Sequence, residues 1–198
     1  KPEALRCEQS YKRRFYIDLG ANKYYSSMGE WFVKTYPRSN EFHLIAFEAN
    51  PQWAPDYKSH PEVEFYQAAA WVENTTLHFA GGAYSGRIEP KGYRDPHTGK
   101  PSQPNPRWYQ DVRAIDLIDF LRRRVRKHDY LVLKMDIEGA EFQVVPKLIE
   151  SGATELIDEM FLEAKANTTA MADGRSVDDA WQLLRDLREA GVYAHQHG

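Results

Sequence analysis

Cysteine is nearly missing. Cys7 is the single one in 198 residues, which excludes an intrachain disulfide framework and a zinc site built on several cysteines. No apolar run approaches the length of a bilayer span. A basic excess is missing too: 26 Lys and Arg against 29 Asp and Glu leave a net charge of −3. Nucleic-acid binding needs a basic stripe, so that class of partner is not expected. The phosphate glycines of G-x-G-x-x-G are also lacking, because Asn22 and Tyr24 follow Gly20. Without them a pyrophosphate finds no close approach to the backbone. No internal repeat is found.

What is present is an ordinary globular composition, 42% hydrophobic and 28% charged. The length suits one domain over residues 1–198 with a sizeable core. Residues 1–14 read as a polar lead-in. Residues 81–107, dense in glycine and proline, read as a lid or substrate loop, since long loops inside compact domains are usually functional or disordered. The chain starts at Lys1 rather than Met, as a mature form or one domain of a larger protein would. The compartment stays open between cytoplasm and secretory lumen, with Asn74 and Asn167 in glycosylation-type triplets.

The chain is organised around Leu131–Phe142, LVLKMDIEGAEF. A buried strand runs into four charges, Lys134, Asp136, Glu138 and Glu141, with Gly139 at the turn and a helix leaving over 140–150. Earlier strands are expected over 15–17, 43–47, 63–72 and 75–80, later ones over 108–114, 156–162 and 192–195. Helices are expected over 24–36, 115–127 and 176–190, the last capped by Ser176 and stopped by Gly191. The basic run Arg122–Lys127 suits a helix C-terminus and a solvated face. Alternating strands and helices predict an α/β fold with a doubly wound, mostly parallel sheet.

Acids close the strands: Asp18, Glu48, Asp136 and Glu163. In an open α/β sheet such ends share one crevice. Glu48, closing the second strand, is placed to accept the hydroxyls of a ribose. A ligand with a ribose and an amino-acid tail, but no phosphate, suits this crevice better than a dinucleotide.

Three blocks, FYIDLGAN (15–22), FEANP (47–51) and KMDIEGAE (134–141), resemble the signature blocks of the FkbM-type methyltransferases, in order and in spacing. The resemblance covers residues 15–165. It implies a class I methyltransferase (Rossmann-like) fold and an S-adenosylmethionine-dependent O-methyltransferase of sugars, glycans or glycosylated metabolites, with S-adenosylhomocysteine as product. Asp18, Gly20 and Asn22 would hold the cofactor's methionine part, Glu48 its ribose and Asn50 its adenine side. Ser85 would match a serine carried between the third and fourth main strands. Asp136 and Glu138 would flank the reacting methyl group, with Lys134 pairing with Asp136. The chain departs from the pattern at Tyr24, where the family has glycine and where a large ring would narrow the cleft, and at Glu163-Ala164-Lys165, where it has Glu-x-His. No acid follows the third strand to bind the adenine amine.

A sugar hydroxyl needs help to lose its proton, and two routes are open. Asp136 or Glu138 acts as general base, or Asp136 and Glu163 hold Mg²⁺ as a Lewis acid. His195 and His197 near the last strand's end are further candidate bases. The rival readings are a catalytically inactive methyltransferase-like binding or interaction domain, and a methyltransferase acting on protein or a small phenol.

Overall fold

Residues 12–81, 86–89, 109–165 and 174–197 are described in a computed structural model. Most of the proposed lid, Ser85 and Asn167 lie outside them.

Six strands make the main sheet: β1 (Arg14–Leu19), β2 (Phe42–Phe47), β3 (Val63–Tyr66), β8 (Tyr130–Met135), β9 (Glu159–Leu162) and β10 (Tyr193–Gln196). They lie in the order β10-β9-β8-β1-β2-β3, and every pairing is parallel. Parallel strands are covered on both faces, which is why β1 and β8 read as nearly unbroken apolar runs. Phe15, Ile17, Leu19, Leu131, Leu133 and Met135 turn to one face, against α2 (Leu117–Arg124), α3 (Glu141–Glu150) and α4 (Val177–Glu189). Tyr16, Ala46 and Val132 turn to the other, against a π-helical segment, Met28–Val33, and Tyr57 of α1 (Ala54–Tyr57). The sheet is thus doubly wound, as expected.

Several elements differ from the sequence reading. The helix expected over 24–36 is the short π turn, with bonds from Gly29 N to Tyr24 O (2.8 Å) and from Phe32 N to Ser27 O (3.0 Å). Its wide turn lets Phe32 stack on Tyr16 at 3.6 Å between ring centroids. The strand expected over 63–72 is two strands. The chain leaves the main sheet after Tyr66, and β4 (Ala69–Trp71) joins a second sheet. Small side chains at Ala68–Ala70 allow that tight passage. The second sheet also holds β5 (Thr75–Gly81), β6 (Gly86–Glu89) and β7 (Tyr109–Asp116), in the order β4-β7-β5-β6. Part of the expected loop is therefore the antiparallel β5–β6 hairpin.

Helix α2 ends at Arg124 rather than Lys127, since Val125 is already extended. Its arginines are used locally: Arg122 donates to Ser151 O, and Arg123 and Arg124 pair with Asp119 and Glu64. Strand β9 starts only at Glu159, because Ala153–Leu156 forms a 3₁₀ turn. Helix α4 has the expected cap, a reciprocal Ser176–Asp179 capping box. Among the described residues no helix is long and apolar enough to cross a membrane.

Candidate functional site

Strand register sets the site. Leu19 lies level with Phe47 and with Met135, and Met135 with Leu162. The next residues, Gly20, Glu48, Asp136 and Glu163, therefore leave the sheet side by side. The strand order reverses between β1 and β8, the position where open α/β sheets bind ligands. A cleft of about 150 Å³ lies there.

Gly20 has φ +77°, and a Cβ on it would fall 1.9 Å from the Asp136 carbonyl oxygen. Glycine here serves the approach of two strand exits as well as the turn. Asn22 and Glu138, both lining the cleft, also have positive φ, 52° and 55°. Non-glycine residues held that way cluster at functional sites.

Glu48 is the best-defined group. Its Oε2 accepts from Asn22 N at 2.7 Å and its Oε1 from Asn50 N at 2.6 Å. One carboxylate thus ties the β1 exit to the β2 exit. Burial pushes its pKa up to about 7, against the pull of the Asn50 and Asn22 amides. Asn50 caps the turn Pro51–Trp53 through its side chain, so the Asn-Pro break also fixes Trp53 at the cleft wall.

Glu141 does the same after β8. It is fully buried, with Oε1 accepting from Ile137 N at 2.6 Å and Oε2 from Gly139 N at 2.7 Å. Burial raises its pKa to about 7, opposed by backbone amides. The sequence marked it only as one charge among four; its two-amide grip is what shapes the Asp136–Gly139 loop.

Asp18 is fully buried: Ser27 Oγ donates to it, and Lys134 Nζ lies 3.5 Å away. Lys134 is also buried, between Asp18 and Asp136, the latter at 3.9 Å. Neither is among the residues that line the cleft. Tyr24 does not narrow the cleft either. Its ring stacks on His60 at 3.4 Å and lies over Gly29, where a Cβ would come within 2.6 Å of it.

Lys165 joins the acids. Its Nζ lies 2.8 Å from Glu138, 3.2 Å from Asp136 and 3.4 Å from Glu163. Burial pulls the Lys165 ammonium down, yet Glu138, Asp136 and Glu163 hold it above the ordinary lysine range. Burial and the neighbouring Asp136 raise Glu163. The donor set expected for Mg²⁺ does not fit one here, because the ammonium already sits against both carboxylates. Among the described residues no group of three or more His, Cys, Asp or Glu side chains is arranged to hold a metal ion.

Sequence reasoning missed the cleft's apolar wall: Trp53, Ala68–Ala70, Phe79, Ile88 and Ile137. Phe79 and Ile88 come from the second sheet, and no local periodicity signals that placement. His195 and His197 separate. His195 Nε2 lies 2.8 Å from Glu159 within the main sheet. His197 lines a second cleft of about 270 Å³ at the ends of β9 and β10, next to Glu163 and Lys165.

These features define an α/β domain with a six-stranded parallel sheet and a cleft at its switch point. The chain belongs to the family described as Domain of unknown function (DUF7870), whose model matches residues 99–197. That match carries β7 to β10 and the Asp136–Lys165 cluster, while Gly20 and Glu48 lie before it. No curated protein and no solved structure matches the chain.

Proposed function

We propose that this domain binds S-adenosylmethionine in the switch-point cleft and transfers its methyl group to a sugar hydroxyl. The observation that carries this reading is Glu48. It closes the second strand, faces the cleft, and is held by two backbone amides. Each carboxylate oxygen has a further acceptor position, so the pair suits the two hydroxyls of a ribose. The apolar wall of Trp53, Ala69 and Ile88 suits a purine ring. The polar loop Gly20–Asn22 and the Asp136–Glu138 exit lie on the other side, where the amino-acid tail would lie. The three-block resemblance to the FkbM-type methyltransferases supports the same reading.

When bound, the cofactor supplies an electrophilic methyl group on a sulfonium. The chain's own part is to fix the acceptor oxygen in line with that methyl, exclude water, and take the proton. Gly20, Asn22 and Glu48 orient; Asp136, Glu138 and Lys165 form a charged floor beside the reacting end.

A second reading has one observation in its favour. Lys165 is ion-paired with both Asp136 and Glu138, so these carboxylates are engaged within the chain, as a domain that binds the cofactor without chemistry would have them. Calorimetric titration with S-adenosylhomocysteine, on the wild type and on Glu48→Ala, tests the shared premise. Binding that Glu48→Ala weakens about a hundredfold, near 2.7 kcal/mol, is expected. No heat from the wild type would sink both readings. Release of S-adenosylhomocysteine from S-adenosylmethionine with a sugar acceptor separates enzyme from binder.

A further inference from the structure

We propose that the second cleft is the acceptor pocket, that it takes a pyranoside ring against Trp181, and that His197 receives the proton of the acceptor hydroxyl. This rests on the cofactor reading above. Lys165 lines both clefts, so a ligand in one meets a ligand in the other at that residue. Register agrees: Gln196 lies level with Leu162, and His197 N donates to Leu162 O at 2.9 Å. His197 is therefore the β10 counterpart of Glu163, on the same edge as Gly20, Glu48 and Asp136.

The walls of this cleft are chemically unlike one another. Val177 and Trp181, one turn apart on α4, expose 66% and 39% of their surface. Glu163, Lys165 and Gln196 face them with charge and hydrogen-bonding groups. An occupant needs one apolar face and a polar edge. A pyranoside has both, a C–H face to stack on indole and a rim of hydroxyls. A small phenol would leave the charged wall unmatched.

The base follows by position. Asp136 and Glu138 are ion-paired to Lys165, and His195 is held by Glu159. Among the described residues the His197 ring makes ring contacts alone, to Trp31 at 4.9 Å and Phe161 at 6.2 Å. The charged groups around it are Lys134 and Asp136 from β8, Asp18 from β1, and Glu163 and Lys165 from β9; α4 faces it with Val177, Ala180 and Trp181. Burial and Lys134 hold its pKa below the ordinary histidine range, against Asp136 and Asp18, so the imidazole is free to accept. In the reaction the acceptor oxygen's lone pair forms the O–CH₃ bond. The S–CH₃ bond breaks with its pair going to sulfur, which becomes a neutral thioether. The hydroxyl proton moves to the His197 imidazole and then to water.

Saturation-transfer difference NMR tests the pocket with the methyl glycosides of D-glucopyranose, D-galactopyranose and D-mannopyranose, in the presence of S-adenosylhomocysteine. At least one is expected to bind the wild type. Trp181→Ala is expected to abolish that signal and Trp181→Phe to keep it, with S-adenosylhomocysteine affinity unchanged in both. His197→Gln is expected to bind both ligands yet release S-adenosylhomocysteine about a hundredfold more slowly. A wild type that binds S-adenosylhomocysteine but none of the glycosides, or a Trp181→Ala that binds them equally, overturns the pocket. His197→Gln at the wild-type rate, or a wild type that binds a glycoside and methylates none, overturns the base. Failure of S-adenosylhomocysteine itself to bind is read separately by calorimetry and strikes the cofactor reading.

Discussion

Glu48 and Glu141 use one device beyond β2 and β8, the two strands that flank β1: a buried carboxylate grips two backbone amides and so fixes a loop. Its cost depends on pH. Both folded-state pKa values are raised from 4.5 to about 7 by burial. The unfolded chain ionises these groups from pH 4.5 upward, while the folded chain keeps their protons until about pH 7. The folded state binds more protons in that window, so stability present below pH 4.5 is lost as pH rises toward 7. The effect is bounded at roughly 3 kcal/mol per group. Urea unfolding of Glu141→Gln at pH 5 and pH 8 should show a smaller loss between the two than the wild type; equal losses would refute the assignment. Gly20 is bound by geometry instead. Gly20→Ala places a Cβ 1.9 Å from the Asp136 carbonyl at φ +77°. It should lower stability by at least roughly 1–3 kcal/mol from backbone strain alone, read as a lower urea midpoint. The sequence marked Gly20, Glu48 and Asp136 because a glycine or an acid closing an apolar strand is a local pattern. It did not mark Trp53 or the grip of Glu141, because those roles depend on which backbone lies opposite.

At the scale of elements, the cleft is closed by a piece of the second sheet. Phe79 of β5 and Ile88 of β6 form part of its wall, and Gly86 lets the hairpin close over the Phe79 ring, where a Cβ would fall 2.0 Å from the ring's tip. Gly86→Val should push the wall out of place while the main sheet, to which neither β5 nor β6 pairs, stays folded. The expected result is an unchanged far-UV circular dichroism spectrum with S-adenosylhomocysteine affinity reduced about tenfold or more, near 1.4 kcal/mol. Unaltered affinity would show that the hairpin is no part of the site. Elements with local signals were legible: the Ser176 cap of α4 and the strand that follows Asn74. The break at Gln67-Ala68 was not, since a run of alanines continues a strand as readily as it leaves one.

At the scale of the molecule, β1 and β8 are each flanked by strands on both sides, while β6 pairs with β5 alone among the described residues. Buried central strands open only with global unfolding, and edge hairpins open locally. Hydrogen exchange followed by mass spectrometry should therefore find peptides of 14–19 and 130–135 protected at the level of global stability, and those of 86–89 exchanging much faster. Uniform protection would contradict a second sheet that can open separately from the first. The same order puts the switch point, and with it the cleft, between the two strands expected to be protected at that level. The cleft thus lies over two central strands of the main sheet, with Phe79 and Ile88 of its wall supplied by the second sheet.

The sequence by itself determined the class of fold and the row of strand-end residues, because burial on both faces of a parallel sheet demands apolar runs and the runs end where polar groups must begin. Only the tertiary structure decided which of those residues face the cleft. Side-chain direction at a strand end depends on the neighbouring exits. Asp18 turned inward to Ser27 and Lys134, Glu48 stayed at the cleft, and Lys165 came back from the next strand to fill the space between Asp136, Glu138 and Glu163.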